Sequence, residues 1–299
     1  MTERIGFIGL GVMGRPLAKH LVAAGYDVVV NSRSPGPVRE LLDAGAATEN
    51  SPAAIARRSS IVITMLPDTP DVEAVLGGPD GVLVGLTPGS VVVDMSTISP
   101  TATRRLAALV AAKGGSMLDA PVSGGEIGAL NATLSIMVGG DEQAFARARP
   151  VLACMGQSDR IVHIGPEPGS GQICKICNQI AIGGALAGVG EAFALAKKAG
   201  VDPARVRDAL LGGFAASRVL DVHGQRMLTG HYEPGFRARL YQKDLRIAAE
   251  LAEAHSIAAP VTALVADLVD ALVASGRGDL DTAAVGTVLF ERAGLERTL

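Results

Sequence analysis

The chain contains no tryptophan, and aromatic residues make up only 3% of its 299 positions. Stacking platforms for bases or sugars are therefore not expected. Cysteine is scarce: Cys154, Cys174 and Cys177 cannot build a disulfide framework and fit a reducing compartment. The formal net charge is −3 and no run of five basic residues occurs, so nucleic acid is not an expected partner. No apolar stretch reaches the ~20 residues of a membrane span; the richest, Ile180–Gly190, is about half that. The first strand candidate starts almost at once, leaving no room for a leader, and a cytoplasmic location is expected. The five histidines (His20, His163, His223, His231, His255) show no i, i+4 pair and no spacing shared with cysteine. No metal site is expected.

What the chain has is glycine in one informative place. Arg4 to Ile8 reads as a short apolar strand, followed by Gly9-Leu10-Gly11-Val12-Met13-Gly14 and a helix expected to start near Val12. This is G-x-G-x-x-G in the order strand, loop, helix. Gly9 permits the tight turn, Gly11 lets a pyrophosphate approach the backbone, and Gly14 lets helix and strand pack closely. Asn31-Ser32-Arg33-Ser34 follows the second strand, where an NAD site usually places an acid for the ribose 2′-hydroxyl. No carboxylate occurs from Val28 to Arg39. Arg33 suits a 2′-phosphate instead, so NADP(H) is favoured over NAD(H); alternatively, Arg33 is an ordinary solvated residue.

Hydrophobic residues at 48% and charged residues at 19% indicate a globular chain long enough for two domains. Strands are expected at Ile5–Ile8, Asp27–Asn31, Ser60–Met65, Ser90–Asp94, Ser116–Asp119, Leu134–Val138 and Arg160–Ile164. Helices are expected at Met13–Ala24, Val38–Ala44, Pro52–Arg57, Asp71–Val75, Ala102–Ala112 and Asp141–Met155. The alternation predicts a mostly parallel sheet covered on both faces. The Gly/Pro cluster from Gly165 to Gly171 marks a boundary, beyond which only helices are expected: Gln172–Gly200, Pro203–Leu211, Arg218–Leu228, Ala238–Ala254 and Thr262–Ala274. Asp202-Pro203 reads as an N-cap with proline at the first helical position. The expected fold is α/β: an N-terminal Rossmann-type, doubly wound NADP-binding domain (1–164), then an all-α substrate and oligomerisation domain (165–299) built on a long helix.

Chemistry is expected at three further segments. Ser123-Gly124-Gly125 follows a strand and Pro121, and forms either a small anion nest or an ordinary strand-to-helix turn. Ser96-Thr97 follows the strand ending at Asp94, at a carboxyl end where ligands bind in such sheets; Thr97 is assigned to the nicotinamide and substrate edge. Lys175 lies just inside the long helix, with Asn178 and Gln179 on the same face. A lysine there, near a positive helix end and facing a closed cleft, would lose proton affinity, as an acid/base lysine needs. By itself, a helical lysine is more often a solvated charge. Cys174 and Cys177 form C-x-x-C around Lys175, but inside a helix they read as packed thiols.

Four ordered segments carry a family resemblance: Phe7 to Gly14; Asp119-Ala120-Pro121-Val122-Ser123-Gly124-Gly125; Gly169 to Gln179; and Gly235-Phe236-Arg237 with Lys243-Asp244. Together they resemble the β-hydroxyacid dehydrogenase family over essentially the whole chain. The resemblance implies an oxidoreductase with Lys175 as the catalytic proton donor and acceptor. It also implies that Ser123, Gly124 and Gly125 anchor a substrate carboxylate. Lys243 would lie on the nicotinamide side, with Met65, Leu66, Pro67 and Asp71 lining the cofactor. The family often has Asn four positions after the lysine; here that position is Gln179, and Asn178 is taken as the amide that orients the substrate.

The helical half looks most like the branch that reduces tartronate semialdehyde to D-glycerate. Alternatives are a 3-hydroxyisobutyrate dehydrogenase, a glyoxylate or succinic semialdehyde reductase, an imine reductase, or a non-catalytic NADP-binding module. The Ala/Gly-rich long helix further predicts a homodimer or homotetramer.

Overall fold

The computed structural model describes residues 3–298. The chain divides into two compact units, the first ending at Lys175 and the second starting at Ile176.

The first unit holds nine strands: β1 (Arg4–Ile8), β2 (Asp27–Asn31), β3 (Ala47–Thr48), β4 (Ile61–Thr64), β5 (Val91–Asp94), β6 (Ser116–Asp119), β7 (Val122–Ser123), β8 (Leu134–Gly139) and β9 (Gly156–Gly165). Between them run α1 (Gly14–Ala23), α2 (Pro35–Asp43), α3 (Pro52–Arg58), α4 (Thr69–Gly77), α5 (Val82–Gly85), α6 (Pro100–Ala112), α7 (Gly125–Leu130) and α8 (Glu142–Leu152). The sheet order is β3-β2-β1-β4-β5-β6-β8-β7, with β9 on β8. Strands β1 to β6 pair in parallel, and β8 runs antiparallel to both β6 and β7.

Parallel strands covered on both faces must be apolar throughout. Val91 and Val93 accordingly enter one core with Phe7, Leu17 and Ile63. Val92 between them enters the other, with Ile55, Val62 and Leu106. The connections reverse direction across the sheet between β1 and β4, so the crevice at their carboxyl ends is the place for a ligand.

Helix α9 (Ser170–Lys198) begins in the first unit and continues into the second. The second unit adds α10 (Pro203–Leu211), α11 (Gly224–Thr229), α12 (Ala238–Ala254), α13 (Pro260–Leu272) and α14 (Val285–Arg292). Asp202 caps α10 by accepting from Ala204 N, with Pro203 at the first position, as the sequence predicts. The core gathers Leu186 and Phe193 of α9 with Tyr241, Leu245, Leu268, Val285 and Phe290. A Cβ on Gly183 would lie 2.5 Å from Tyr241 Oη, and one on Gly190 would lie 2.6 Å from Leu289 Cδ1. Small residues on α9 therefore serve packing inside this unit.

Several expectations need correction. Helix α1 starts at Gly14, because Gly11 to Met13 stay in a turn. Strands β3 and β7, helices α5 and α7, the turn Thr282–Ala284 and α14 are all additional to the expected elements. The expected helix Arg218–Leu228 opens as a π turn at Val219–His223, where Arg207 Nη2 takes the Asp221 carbonyl at 2.8 Å. By length and hydropathy, α9 is also long and apolar enough to cross a membrane, which the run-length reading missed; 44% of the relevant window is buried inside the protein.

Asp281 organises the second unit. Its carboxylate accepts from Gly235 N (2.9 Å), Phe236 N (3.2 Å) and Ala283 N (3.0 Å), and pairs with Arg226. His223 Nδ1 lies 3.3 Å away, close enough to favour the ionised carboxyl. Burial opposes ionisation of Asp281, but His223, the Ala283 N–H and Arg226 outweigh it and hold the carboxyl down at about 2. Since the folded value lies below the unfolded one, this stability is present above the unfolded value and lost as pH falls through the folded one. Asp281→Asn should cost about 2 kcal/mol near pH 7 in denaturant unfolding of the helical unit. The difference from wild type should fade as pH drops from about 4 towards about 2.

Candidate active site

The glycine loop fits a dinucleotide for reasons that differ at each position. Gly9 has φ +99° and donates its N–H to Asn31 O at 3.0 Å. A Cβ there would sit 2.3 Å from Met65 O. At Gly14 a Cβ would sit 2.0 Å from Gly9 O, so this glycine is required by the protein itself. At Gly11 a Cβ would meet nothing within 4 Å. No internal contact explains Gly11, whereas a pyrophosphate close to the loop does. Leu10 is buried, while Val12 beside it is 53% exposed and Met13 leads into α1.

Beyond β2, Asn31 is a structural residue as well as a rim residue: its Nδ2 donates to Glu49 O at 2.8 Å and ties β2 to the end of β3. Ser32 Oγ accepts from Ser34 N at 3.4 Å, shaping the turn. Arg33 projects into solvent, 86% exposed, with its Nη2 3.5 Å from Asp71 Oδ1. The carboxylate that pairs with Arg33 comes from the first turn of α4. Met65 continues β4 by donating to Ile8 O, and Leu66 N donates to Ser96 Oγ at 2.9 Å. Pro67 follows in the exposed turn before Asp68, which caps α4.

At the carboxyl ends of β5 and β6 stand two buried carboxylates, Asp94 and Asp119, paired in register. Asp94 Oδ1 accepts from Thr64 Oγ1 (2.8 Å) and Ser96 N (3.2 Å). Burial pushes the Asp94 carboxyl up to about 6 against these bonds, and its Oδ2 has no partner. Asp119 accepts from Gly169 N at 2.7 Å and Gln172 N at 2.8 Å, and so caps α9. Burial also raises its pKa, opposed by those same N–H groups.

Gln172 is fully buried. Its Nε2 donates to Ser96 O (2.8 Å) and its Oε1 accepts from Ile98 N (3.1 Å), on either side of half-buried Thr97. Lys175 follows one turn later and is only 8% exposed. Ser123 ends β7 against Ser135 of β8. Gly124 (φ +136°) and Gly125 (φ +63°) then turn the backbone into α7 through conformations that favour glycine.

In the helical unit, Gln179 is 2% exposed and occupied at both ends of its amide. Its Nε2 donates to Asp244 Oδ2 at 2.5 Å, and its Oε1 accepts from Asn178 Nδ2 at 2.9 Å. Tyr241 Oη donates to Gln179 O at 2.8 Å, and burial raises the Tyr241 pKa. Lys243 Nζ lies 3.2 Å from Asp244 Oδ1. Asn178, half-buried, therefore stands at the end of a hydrogen-bond chain that runs through Gln179 to Asp244.

Gln172, Lys175 and Gln179 form a polar stripe on the buried side of α9, a costly arrangement in an otherwise apolar helix. Cys177, expected to be packed, is exposed because two residues turn it about 200° from Lys175. Among the described residues, no group of three His, Cys, Asp or Glu side chains could hold a metal. Sequence reading missed Asp119, Gln172, Tyr241 and Asp244 as organising residues. A polar residue one turn before Lys175 on its buried stripe was the available signal for Gln172.

Two family models match the chain. The NAD binding domain of 6-phosphogluconate dehydrogenase matches residues 4–165, and the NAD-binding domain of NADP-dependent 3-hydroxyisobutyrate dehydrogenase matches 169–289. A 2-hydroxy-3-oxopropionate reductase of Escherichia coli (strain K12) is 46% identical over 94% of this chain and 95% of its own. The chain belongs to the β-hydroxyacid dehydrogenase family. A 3-hydroxyisobutyrate dehydrogenase of Pseudomonas aeruginosa is 40% identical over 90% of this chain and 91% of its own. The solved structure of Mycobacterium tuberculosis 3-hydroxyisobutyrate dehydrogenase with L-serine superposes with TM-score 0.87 at 35% identity, covering 97% of this chain and 99% of that one.

This β-hydroxyacid dehydrogenase is an NAD(P)-dependent oxidoreductase acting on a CH–OH group. The glycine loop gives a direct test. Gly11→Ala should melt within about 2 °C of wild type yet weaken NADPH binding about tenfold, or ~1.4 kcal/mol, in a fluorescence titration. Gly14→Ala should instead lower stability itself, by about 1–3 kcal/mol. Equal melting losses in both variants would contradict the assignment of Gly11 to the ligand.

Proposed function

We propose that the protein reduces tartronate semialdehyde, which is 2-hydroxy-3-oxopropionate, to D-glycerate with NADPH. The observation that carries this reading is the burial of Lys175 on a polar stripe of α9, in a chain 46% identical to a reductase named for that substrate. The nicotinamide, when bound, supplies the hydride. Lys175 gives a proton to the aldehyde oxygen as the carbonyl carbon is reduced, and takes one back in the oxidation direction. Ser123 Oγ and the N–H groups of the positive-φ pair Gly124 and Gly125 hold the carboxylate. Asn178 orients the substrate. Gln179, committed to Asp244 and Asn178, is a positioning residue for it. Thr97 and Lys243 border the nicotinamide and substrate.

For the cofactor, the reading is NADP(H) over NAD(H). Support comes from the acid-free stretch Val28 to Arg39 and from the solvated Arg33. The Arg33–Asp71 pair is no obstacle, because an exposed ion pair is worth about 0–1 kcal/mol and yields readily to a phosphate. The second reading, a 3-hydroxyisobutyrate dehydrogenase, is favoured by the Pseudomonas relative at 40% identity.

Steady-state rates on tartronate, methylmalonate and succinic semialdehydes and on glyoxylate decide between them. Tartronate semialdehyde should give the highest kcat/KM, and a clear win for methylmalonate semialdehyde would favour the second reading. Lys175→Ala should lower kcat by about 10³-fold; turnover within a few-fold of wild type would remove the proton-donor role. Arg33→Asp should reverse the preference for NADPH, and an unchanged ratio would make Arg33 a surface residue only.

A further inference from the structure

We propose that Gln172 is a positioning residue that fixes Thr97 relative to Lys175 by clamping the backbone on both sides of Thr97. This rests on the acid–base reading of Lys175 given above.

Gln172 has no exposed surface, and its side-chain amide bonds two groups of opposite polarity in one turn: Ser96 O at 2.8 Å and Ile98 N at 3.1 Å. A carbonyl and an N–H as partners fix which end of the amide is oxygen. Two such bonds set the rotation of the turn as well as its distance from the helix. The same residue donates its own N–H to Asp119 at 2.8 Å, so the clamp is anchored on the β6 side. Ser96 receives Leu66 N on its Oγ at 2.9 Å and donates its N–H to Asp94 at 3.2 Å. Gln172 therefore meets a turn already tied to the ends of β4 and β5. Capping of α9 does not require this amide, because Asp119 already accepts from Gly169 and Gln172 N. An apolar side chain of the same length would fill the space. What only the amide supplies is a Thr97 fixed from a residue one helical turn before Lys175.

The test is the kinetics of the full-length enzyme carrying Gln172→Met, alone and with Lys175→Ala, using NADPH and the best substrate of the panel. Gln172→Met should lower kcat about 30-fold while NADPH affinity stays within about threefold, as expected when reacting groups are displaced by a fraction of an ångström. The primary isotope effect from 4-deuterated NADPH should rise, a change that simple loss of folded protein would not produce. In the Lys175→Ala background, the same substitution should add less than about threefold, since both act on one step.

A kcat per folded enzyme within threefold of wild type, or an undiminished effect in the Lys175→Ala background, would overturn the proposal. If Gln172→Met fails to fold, Gln172→Glu replaces it: this keeps the acceptor for Ile98, loses the donor to Ser96, and should give an intermediate loss. Unchanged kcat in that variant would overturn the proposal equally. A fully active Lys175→Ala enzyme is a separate result, which removes the acid–base reading itself.

Discussion

One buried carboxylate holds the start of the long helix to the sheet. Asp119 ends β6, and both of its oxygens are committed to N–H groups at the start of α9. Burying a charge is costly, and backbone donors aligned at a helix N-terminus offset that cost. The close packing of Gly139 against Gly171 N and of Gly171 against Met137 O leaves no room for side chains at this junction. Carboxylate and glycines together determine where the helix begins. They thereby determine which residue faces inward one turn later, and that residue is Lys175.

The fold was legible in the sequence wherever a strand is buried on both faces or a helix carries a clear cap. The runs from Ile5, Asp27, Ser60, Ser90 and Ser116 read as strands because parallel pairing demands apolar residues along the strand. Elements held by context were not legible. The two-residue strands β3 and β7 are too short for any periodicity. At the π turn Val219–His223, Arg207 from a preceding helix donates to the Asp221 carbonyl, a contact that no local pattern announces. Helix α14 was missed because Val285 to Val288 and Phe290 are all buried, so no amphipathic period marks it.

For the candidate site, sequence nominated residues for the chemistry and overlooked the hydrogen-bonding residues around them. Ser123, Lys175 and the glycine loop stand out by spacing. The roles of Gln172, Asp244 and Tyr241 are not visible in the local sequence, because they lie in hydrogen bonds that cross 62 to 76 residues of chain. The adjacent amides Asn178 and Gln179 look alike in sequence, and their different hydrogen bonding depends on a distant carboxylate.

The cofactor rim shows how much a local reading can miss. No acid lies near Arg33 in sequence, yet Asp71 of α4 stands 3.5 Å from it. Arg33 keeps most of its surface in water, so its attraction for a ligand is open to screening by salt. At physiological ionic strength that influence decays over about 8 Å. A preference between two dinucleotides that depends on such a cation is therefore set partly by the medium: it is sharp in dilute buffer and blunted in concentrated electrolyte.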